Sequence, residues 1–399
     1  MTRSSMRPHH LVAGLSVAQL ISWGSVFYGF ALFMAPVERS QGLGRAQSSL
    51  AFSLALLAEG LAAYAVGRWI DRGHERAVMA GGSLLLGLGL LAQGVAQSLA
   101  GFYAAWIILG LGMAATLYTP VFAVVTRRFP GDYRRAIITL TFLGGLASTV
   151  FIPLTDALIQ ALGWRAASAA LAAINLGVCL PLHLVLLRGA PMGAQPADRA
   201  RAAPLAVHLR NPVFWRLGAF TVLLMAVTAA VPPHLVSLLR ESGLPPAWAI
   251  VVPASIGVLQ VLGRLLLYWG DRRLDVHATN HWAPLGVPLA LVVLLLGLGQ
   301  GWAALLFALL FGVGNGMLTI VKGTVMAQYV SAAHVGALNG ALGLPLALAR
   351  AAAPLAVGLL WSPAHGYAPG LALLVLLAAT GVALLWRAQA RVAQASPPA

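Results

Sequence analysis

The chain has 399 residues, of which 60% are hydrophobic and only 9% charged, and its formal net charge is +15. A soluble domain carries about 25% charged residues, so a water-covered globular surface is excluded. The basic residues lie in short segments between apolar runs, not in one patch. That excludes nucleic acid as the partner and points to membrane topology.

Apolar runs such as Leu99–Val125 and Trp282–Gly299 are long enough to cross a bilayer. Within hydrocarbon only helices and closed barrels satisfy their backbone groups, and these runs lack the alternation of barrel strands. From the N-terminus, the polar stretch Met1–His10 precedes an apolar stretch to Val37. This is too long for a cleaved leader and is expected to be the first spanning helix. Twelve helices are predicted, near 11–37, 46–66, 77–97, 100–126, 136–160, 165–187, 213–239, 246–268, 282–299, 302–329, 335–361 and 366–386. The Ala-, Pro- and Arg-rich segment Arg188–Asn211 interrupts the series. The expected division is a six-helix bundle over 1–187, a cytoplasmic linker over 188–212 and a second six-helix bundle over 213–399. The lone cysteine, Cys179, excludes a disulfide framework and reads as a small packing residue.

With the N-terminus inside, eighteen of the twenty-five Lys and Arg fall in inner segments and only Arg39, Arg45, Arg165 and Arg240 in outer ones. This positive-inside bias predicts a bacterial inner-membrane protein with both termini cytoplasmic. The halves also repeat. Asp71-Arg72 recurs as Asp271-Arg272, Gly110-Leu111-Gly112 as Gly312-Val313-Gly314, and Pro153 as Pro354, at offsets of 200, 202 and 201 residues. Two parallel six-helix repeats around a central site are a transporter plan.

The loop running Gly67-Arg68-Trp69-Ile70-Asp71-Arg72-Gly73-His74-Glu75-Arg76 resembles the signature between helices 2 and 3 of the major facilitator superfamily, with His74 where that family has Gly. Within the superfamily the chain is most similar to the monocarboxylate and oxalate–formate branch. The similarity rests on Trp23-Gly24, Phe27-Tyr28, Arg134-Arg135-Ala136, Gly144-Gly145 and the spacing of Gln260 and Arg264. Eukaryotic monocarboxylate carriers have an Asp and an Arg at that last spacing; here Gln stands for the Asp. The resemblance implies an all-α fold of twelve transmembrane helices in two pseudo-symmetric bundles, and an inner gate at Gly67, Asp71, Arg72, Arg76 and the second copy at Asp271.

A charge at the middle of a spanning helix costs about 2.5–3.5 kcal/mol, so such residues face a cavity or a partner. Arg264 lies seven residues before Asp271, about 10 Å into its helix. It reads either as a two-pronged carboxylate binder or as a snorkelling side chain. Arg350 lies deep in helix 11 among small residues and reads as a ligand or counter-ion contact, or as a structural pair. Lys322, the only lysine, is a candidate for anion binding or proton coupling; its alternatives are an interior hydrogen bond or snorkelling. Glu59 is the candidate proton carrier of the first half, a fixed salt bridge being its alternative. Gln260, Asn315, Tyr28 and Tyr118 complete the expected substrate site, although packing explains the tyrosines equally. Asp156 and Arg165 are expected to make a structural contact at the outer end.

The Gly-x-Gly pairs sit inside helices, where small residues permit close packing, and no Walker sequence occurs. The expected protein is therefore not an enzyme and needs no cofactor. The ten histidines are read as showing no paired i, i+4 metal spacing. The expected function is secondary active transport of a small organic anion, monocarboxylate-like, by symport or antiport with protons or a counter-anion, in a monomer. Efflux of drugs or amphipathic metabolites on the same fold is the alternative.

Overall fold

The computed structural model describes residues 8–129, 133–189, 205–270, 276–331 and 335–395. Among them, eleven continuous helical runs are long and apolar enough to span a membrane. The first four are α1 (His10–Gln41), α2 (Arg45–Asp71), α3 (Glu75–Val95) and α4 (Leu99–Arg128). The fifth run, Ala136–Leu186, has 51 residues. A straight helix of that length would measure about 75 Å, more than twice the ~30 Å of bilayer hydrocarbon. Gly163 interrupts it with φ 78°, ψ 158°, a conformation that a side chain disfavours. The run is thus two crossings joined at Gly163, α5 (136–162) and α6 (164–186). The remaining helices are α7 (Pro212–Glu241), α8 (Trp248–Gly270), α9 (His277–Leu296), α10 (Gly301–Tyr329), α11 (Gly343–Leu360) and α12 (Ala368–Ala395). The result is an all-α membrane protein of twelve spanning helices.

The chain divides into two compact units, 1–195 and 196–399. In the first, α4 crosses α2 at Gly110, where an added Cβ would stand 2.7 Å from the Ala55 Cα. Two residues on, Gly112 meets α3 at Leu86 and Gly82. The second unit repeats both contacts. Gly312 on α10 packs against Leu259 and Ile256 of α8, and Gly314 lies 3.1 Å from the Gly286 Cα of α9 by the same measure. The repeated Gly-x-Gly is therefore a packing device: glycines let backbones meet where apolar attraction between helices is weak.

Prolines set local bends. Pro120 has no N–H for the carbonyl of Thr116 four residues earlier, and α4 is locally extended at Leu117. Gln19 of α1 donates Nε2 to that carbonyl at 2.5 Å, supplying the missing bond from a neighbouring helix. Pro153 of α5 and Pro354 of α11 lie inside their helices at repeat-related positions. The carbonyl of Pro354 accepts from His234 Nε2 of α7 at 2.9 Å. Two helices also widen into π-helical turns, Trp23–Tyr28 in α1 and Asn175–Cys179 in α6. These turns face each other, for Asn175 Nδ2 donates to Ser25 Oγ at 2.9 Å.

Three expected boundaries differ. Helix 9 begins near 276 instead of 282, because its polar first turns are helical and bonded to neighbours. Helix 11, expected over 335–361, is divided at Leu342 into Val335–Ala341 and Gly343–Leu360. Helix 12 continues to Ala395 instead of ending at 386, since Arg387 and Arg391 extend it beyond the apolar part.

Gly110→Leu sets a side chain into the Ala55 backbone and should destabilise the first unit by about 1–3 kcal/mol or more. Thermal unfolding of the purified variant checks this. Gly81→Leu, where nothing lies within 4 Å of an added Cβ, should leave the midpoint within a degree or two of the parent's.

Candidate functional site

In the second unit the helical crossing at the glycines gathers several of the expected residues. Gly316 of α10 lies against the backbone of Gln260 on α8, and Gly263 of α8 against Val313 of α10. Gln260 and Arg264, one turn apart on α8, are 5% and 6% exposed. A snorkelling guanidinium would be solvated at the helix end, so this burial places Arg264 inside the protein. Asn315 is half-buried on the same crossing, and its carbonyl accepts from Thr319 Oγ1 at 3.0 Å.

The other two cations occupy different surroundings. Lys322 is exposed on α10, with Nζ 3.8 Å from Met225 Sδ of α7. A thioether is a weak, uncharged acceptor, so this contact does not itself neutralise the ammonium charge. Arg350 is half-buried on α11, one turn before Pro354. Pro354 has no N–H to offer the Arg350 carbonyl four residues earlier.

In the first unit the aromatic candidates belong to one cluster. Tyr118 begins the second part of α4, with its ring 4.9 Å from Trp23 and stacked on Phe122 at 5.3 Å. Its hydroxyl lies over Gly144, where any side chain would clash. Tyr28 lies edge-on to Phe27 at 5.4 Å, and Phe27 to Trp23 at 4.9 Å. The α1 members Trp23, Phe27 and Tyr28 all sit in its π-helical turn, a feature frequent at functional sites. Glu59 is half-buried on α2.

The expected gate is an exposed turn. Asp71 ends α2, Arg72 follows, and both are exposed. The tight turn, which the family places at position 74, is made one residue earlier. Gly73 takes φ 88°, and its N–H bonds the Ile70 carbonyl at 2.9 Å while that of His74 bonds Trp69 at 3.0 Å. His74 therefore needs no left-handed conformation, and the missing glycine is compensated. Arg76 donates Nε to the Leu184 carbonyl of α6 at 2.8 Å. A Cβ added at Gly67 would meet nothing within 4 Å. Asp271 lies outside the described residues. At the other end, Asp156 accepts from Gln160 at 2.5 Å and Arg165 lies over the Trp164 ring at 4.3 Å.

Sequence reasoning missed several polar pairs. Glu75, fully buried in the first turn of α3, pairs with Arg128 of α4 at 2.5 Å. Arg128 also donates to the carbonyls of Leu186 and Arg188, at 3.5 and 3.4 Å. A carboxylate at a helix N-terminus and cations at a helix C-terminus both suit the helix dipoles. Glu38 and Arg45 form a two-pronged pair, 2.8 and 3.0 Å, between α1 and α2, which Ser48 joins. His183 of α6 and Ser83 of α3 share a 2.8 Å bond and are both fully buried. Only proximity in the chain could have signalled Glu38–Arg45; the other pairs depend on tertiary packing. His277 and His281, four residues apart, also contradict the reading of the histidines as carrying no paired spacing.

Arg128→Met leaves the Glu75 carboxylate buried without its partner and should cost about 3–5 kcal/mol. Glu75→Gln in the same chain should recover a large part of the loss. Chemical or thermal unfolding of the single and double variants measures both.

Comparison with known proteins agrees with this architecture. The sequence profile of the Major Facilitator Superfamily matches residues 12–354. Monocarboxylate transporter 13 of Bos taurus is 31% identical over 298 residues, 69% of this chain and 66% of that protein, so the matched part is just under two thirds of the relative. The uncharacterized MFS-type transporter YcxA of Bacillus subtilis (strain 168) is 23% identical over 389 residues, 92% of this chain and 91% of that one. Among solved structures, a bacterial homolog to the human lysosomal transporter Spinster superposes with a TM-score of 0.74 at 16% identity, over 99% of this chain and 100% of that one.

Proposed function

Because the chain belongs to the Major Facilitator Superfamily, we propose that it is a secondary transporter of small organic anions, monocarboxylate-like solutes foremost. It works by alternating access across a bacterial inner membrane, as a monomer with both termini in the cytoplasm. The observation that carries this reading is the burial of Arg264 beside Gln260 on α8, well inside a spanning helix. A guanidinium held away from water is costly, and its planar fork suits a carboxylate better than any other small solute group. Arg350 and Lys322 add positive charge in the same unit, and Asn315 a neutral donor. The similarity to a protein named as a monocarboxylate transporter supports the same solute class.

Tyr28 and Tyr118 supply the first unit's contribution, an aromatic face suited to the carbon skeleton of the solute. Glu59, half-buried on α2, is the proton carrier of the first half. Gly67, Asp71, Arg72 and Arg76 form the cytoplasmic gate, with Asp271 as the equivalent in the second half. The segment 188–212 is the cytoplasmic linker.

Uptake of labelled monocarboxylates into proteoliposomes under an imposed proton gradient tests the reading. Hydrogen bonds to charged groups contribute about 1.5–3 kcal/mol each, so Arg264→Ala and Arg350→Ala should each lower uptake about tenfold or more. Parent-like uptake by both variants would remove the anion site. Glu59→Gln should retain solute exchange and lose acceleration by the proton gradient; unchanged gradient dependence would reassign the coupling.

A further inference from the structure

We propose that His277 and His281 form a binding site for one divalent transition-metal ion of the zinc, nickel or copper class. The two residues stand four apart at the start of α9, the spacing that sets two imidazoles on one helix face and serves metal chelation elsewhere. Their rings lie side by side, 6.3 Å between centroids and 29° from parallel. Each ring is fixed through Nδ1. His281 Nδ1 is 2.7 Å from Gln389 Oε1 of α12, and His277 Nδ1 is 2.8 Å from Tyr329 Oη of α10. The two supporting groups are themselves joined, since Gln389 Nε2 donates to Tyr329 Oη at 3.1 Å.

The chemistry of this arrangement favours a metal. An amide oxygen only accepts, so His281 carries its proton on Nδ1 and, when neutral, presents the Nε2 lone pair. Tyr329 Oη has the capacity to accept from His277 Nδ1 as well as from Gln389, and metal binding through Nε2 selects that tautomer of His277. Metal-binding imidazoles characteristically bond their second nitrogen to a fixed acceptor, which sets the tautomer and the ring plane. The His281 ring is held further by stacking on Trp386 at 5.0 Å and 17°, and the Trp386 N–H bonds the His281 carbonyl at 2.9 Å. His277 is exposed, so the protein itself does not enclose its ring. Neutral nitrogen ligands suit zinc, nickel and copper and not magnesium or calcium. Among the described residues no group of three or more His, Cys, Asp or Glu converges, so the histidines supply two ligands and water completes the shell.

The supporting network also ties α9 to α10 and α12. Asn280, between the two histidines and 1% exposed, donates to Gln328 at 2.5 Å and accepts from Thr324 at 3.1 Å. A bound ion would stiffen this end of the second unit. The two histidines and their supporting residues are none of those proposed to meet solute, so the proposal does not rest on the transport reading.

The test uses the full chain, purified in detergent and stripped with a chelator. Zinc chloride is titrated with bound metal measured by elemental analysis after desalting, and copper(II) binding is followed by electron paramagnetic resonance. The parent should bind one ion, raise its unfolding temperature with zinc, and show nitrogen hyperfine coupling with copper. His277→Ala and His281→Ala should each weaken binding tenfold or more, and Gln389→Leu about 10–100-fold through the lost support. His9→Ala/His10→Ala should bind as the parent does. In the unaltered protein, zinc should also protect both histidines from acylation by diethylpyrocarbonate, which needs no variant to fold. Parent-like affinity in the His277→Ala/His281→Ala double variant, no bound ion in the parent, or no protection would each overturn the proposal.

Discussion

Hydrocarbon supplies no hydrogen bonds and no solvation for charge, and the rest of this structure depends on that constraint. Every backbone group removed from water needs a partner within the protein. Straight helix satisfies most of them. Where the sequence departs from straight helix, a side chain from elsewhere intervenes. Gln19 answers the carbonyl left by Pro120, and His234 bonds the carbonyl of Pro354. Asn175 and Ser25 link two π-helical turns. Irregular backbone in such a fold is tolerated only where the protein itself compensates, and in the first unit the π-helical turn of α1 holds Tyr28 and the break before Pro120 adjoins Tyr118.

The same constraint gives the charged residues their meaning. Glu75 and Arg128 neutralise one another at the helix ends, and Glu38 and Arg45 do so between α1 and α2. These pairs hold helices together. Arg264 is also buried, beside Gln260 on its own helix. A carboxylate ligand would complete its planar fork with two parallel hydrogen bonds.

Much of the fold was legible because hydropathy reports directly on the solvent. All twelve crossings were visible as apolar runs, and the repeated Gly-x-Gly marked the two close crossings of α4 on α2 and of α10 on α8. Boundaries failed where polarity was satisfied by packing. His-Ala-Thr-Asn-His at 277–281 reads as a loop, yet it is helical because Tyr329, Gln328 and Gln389 from distant helices bond it. The short join at Gly163 was placed within a few residues, and the left-handed turn at Gly73 was expected one position later. At the candidate site, Arg264 and Gln260 were legible from charge inside an apolar run, whereas Glu75 was hidden in a loop motif. Its burial comes from Arg128, 53 residues away, a distance that no local pattern encodes.

A structure determined with a bromine-labelled monocarboxylate would test the central claim most directly, since anomalous scattering locates the label without reference to the protein model. The account predicts the carboxylate within hydrogen-bonding distance of the Arg264 guanidinium, with Arg350 or Lys322 contributing positive charge nearby. Label density confined to other surfaces, with Arg264 locked onto an internal acid, would contradict it.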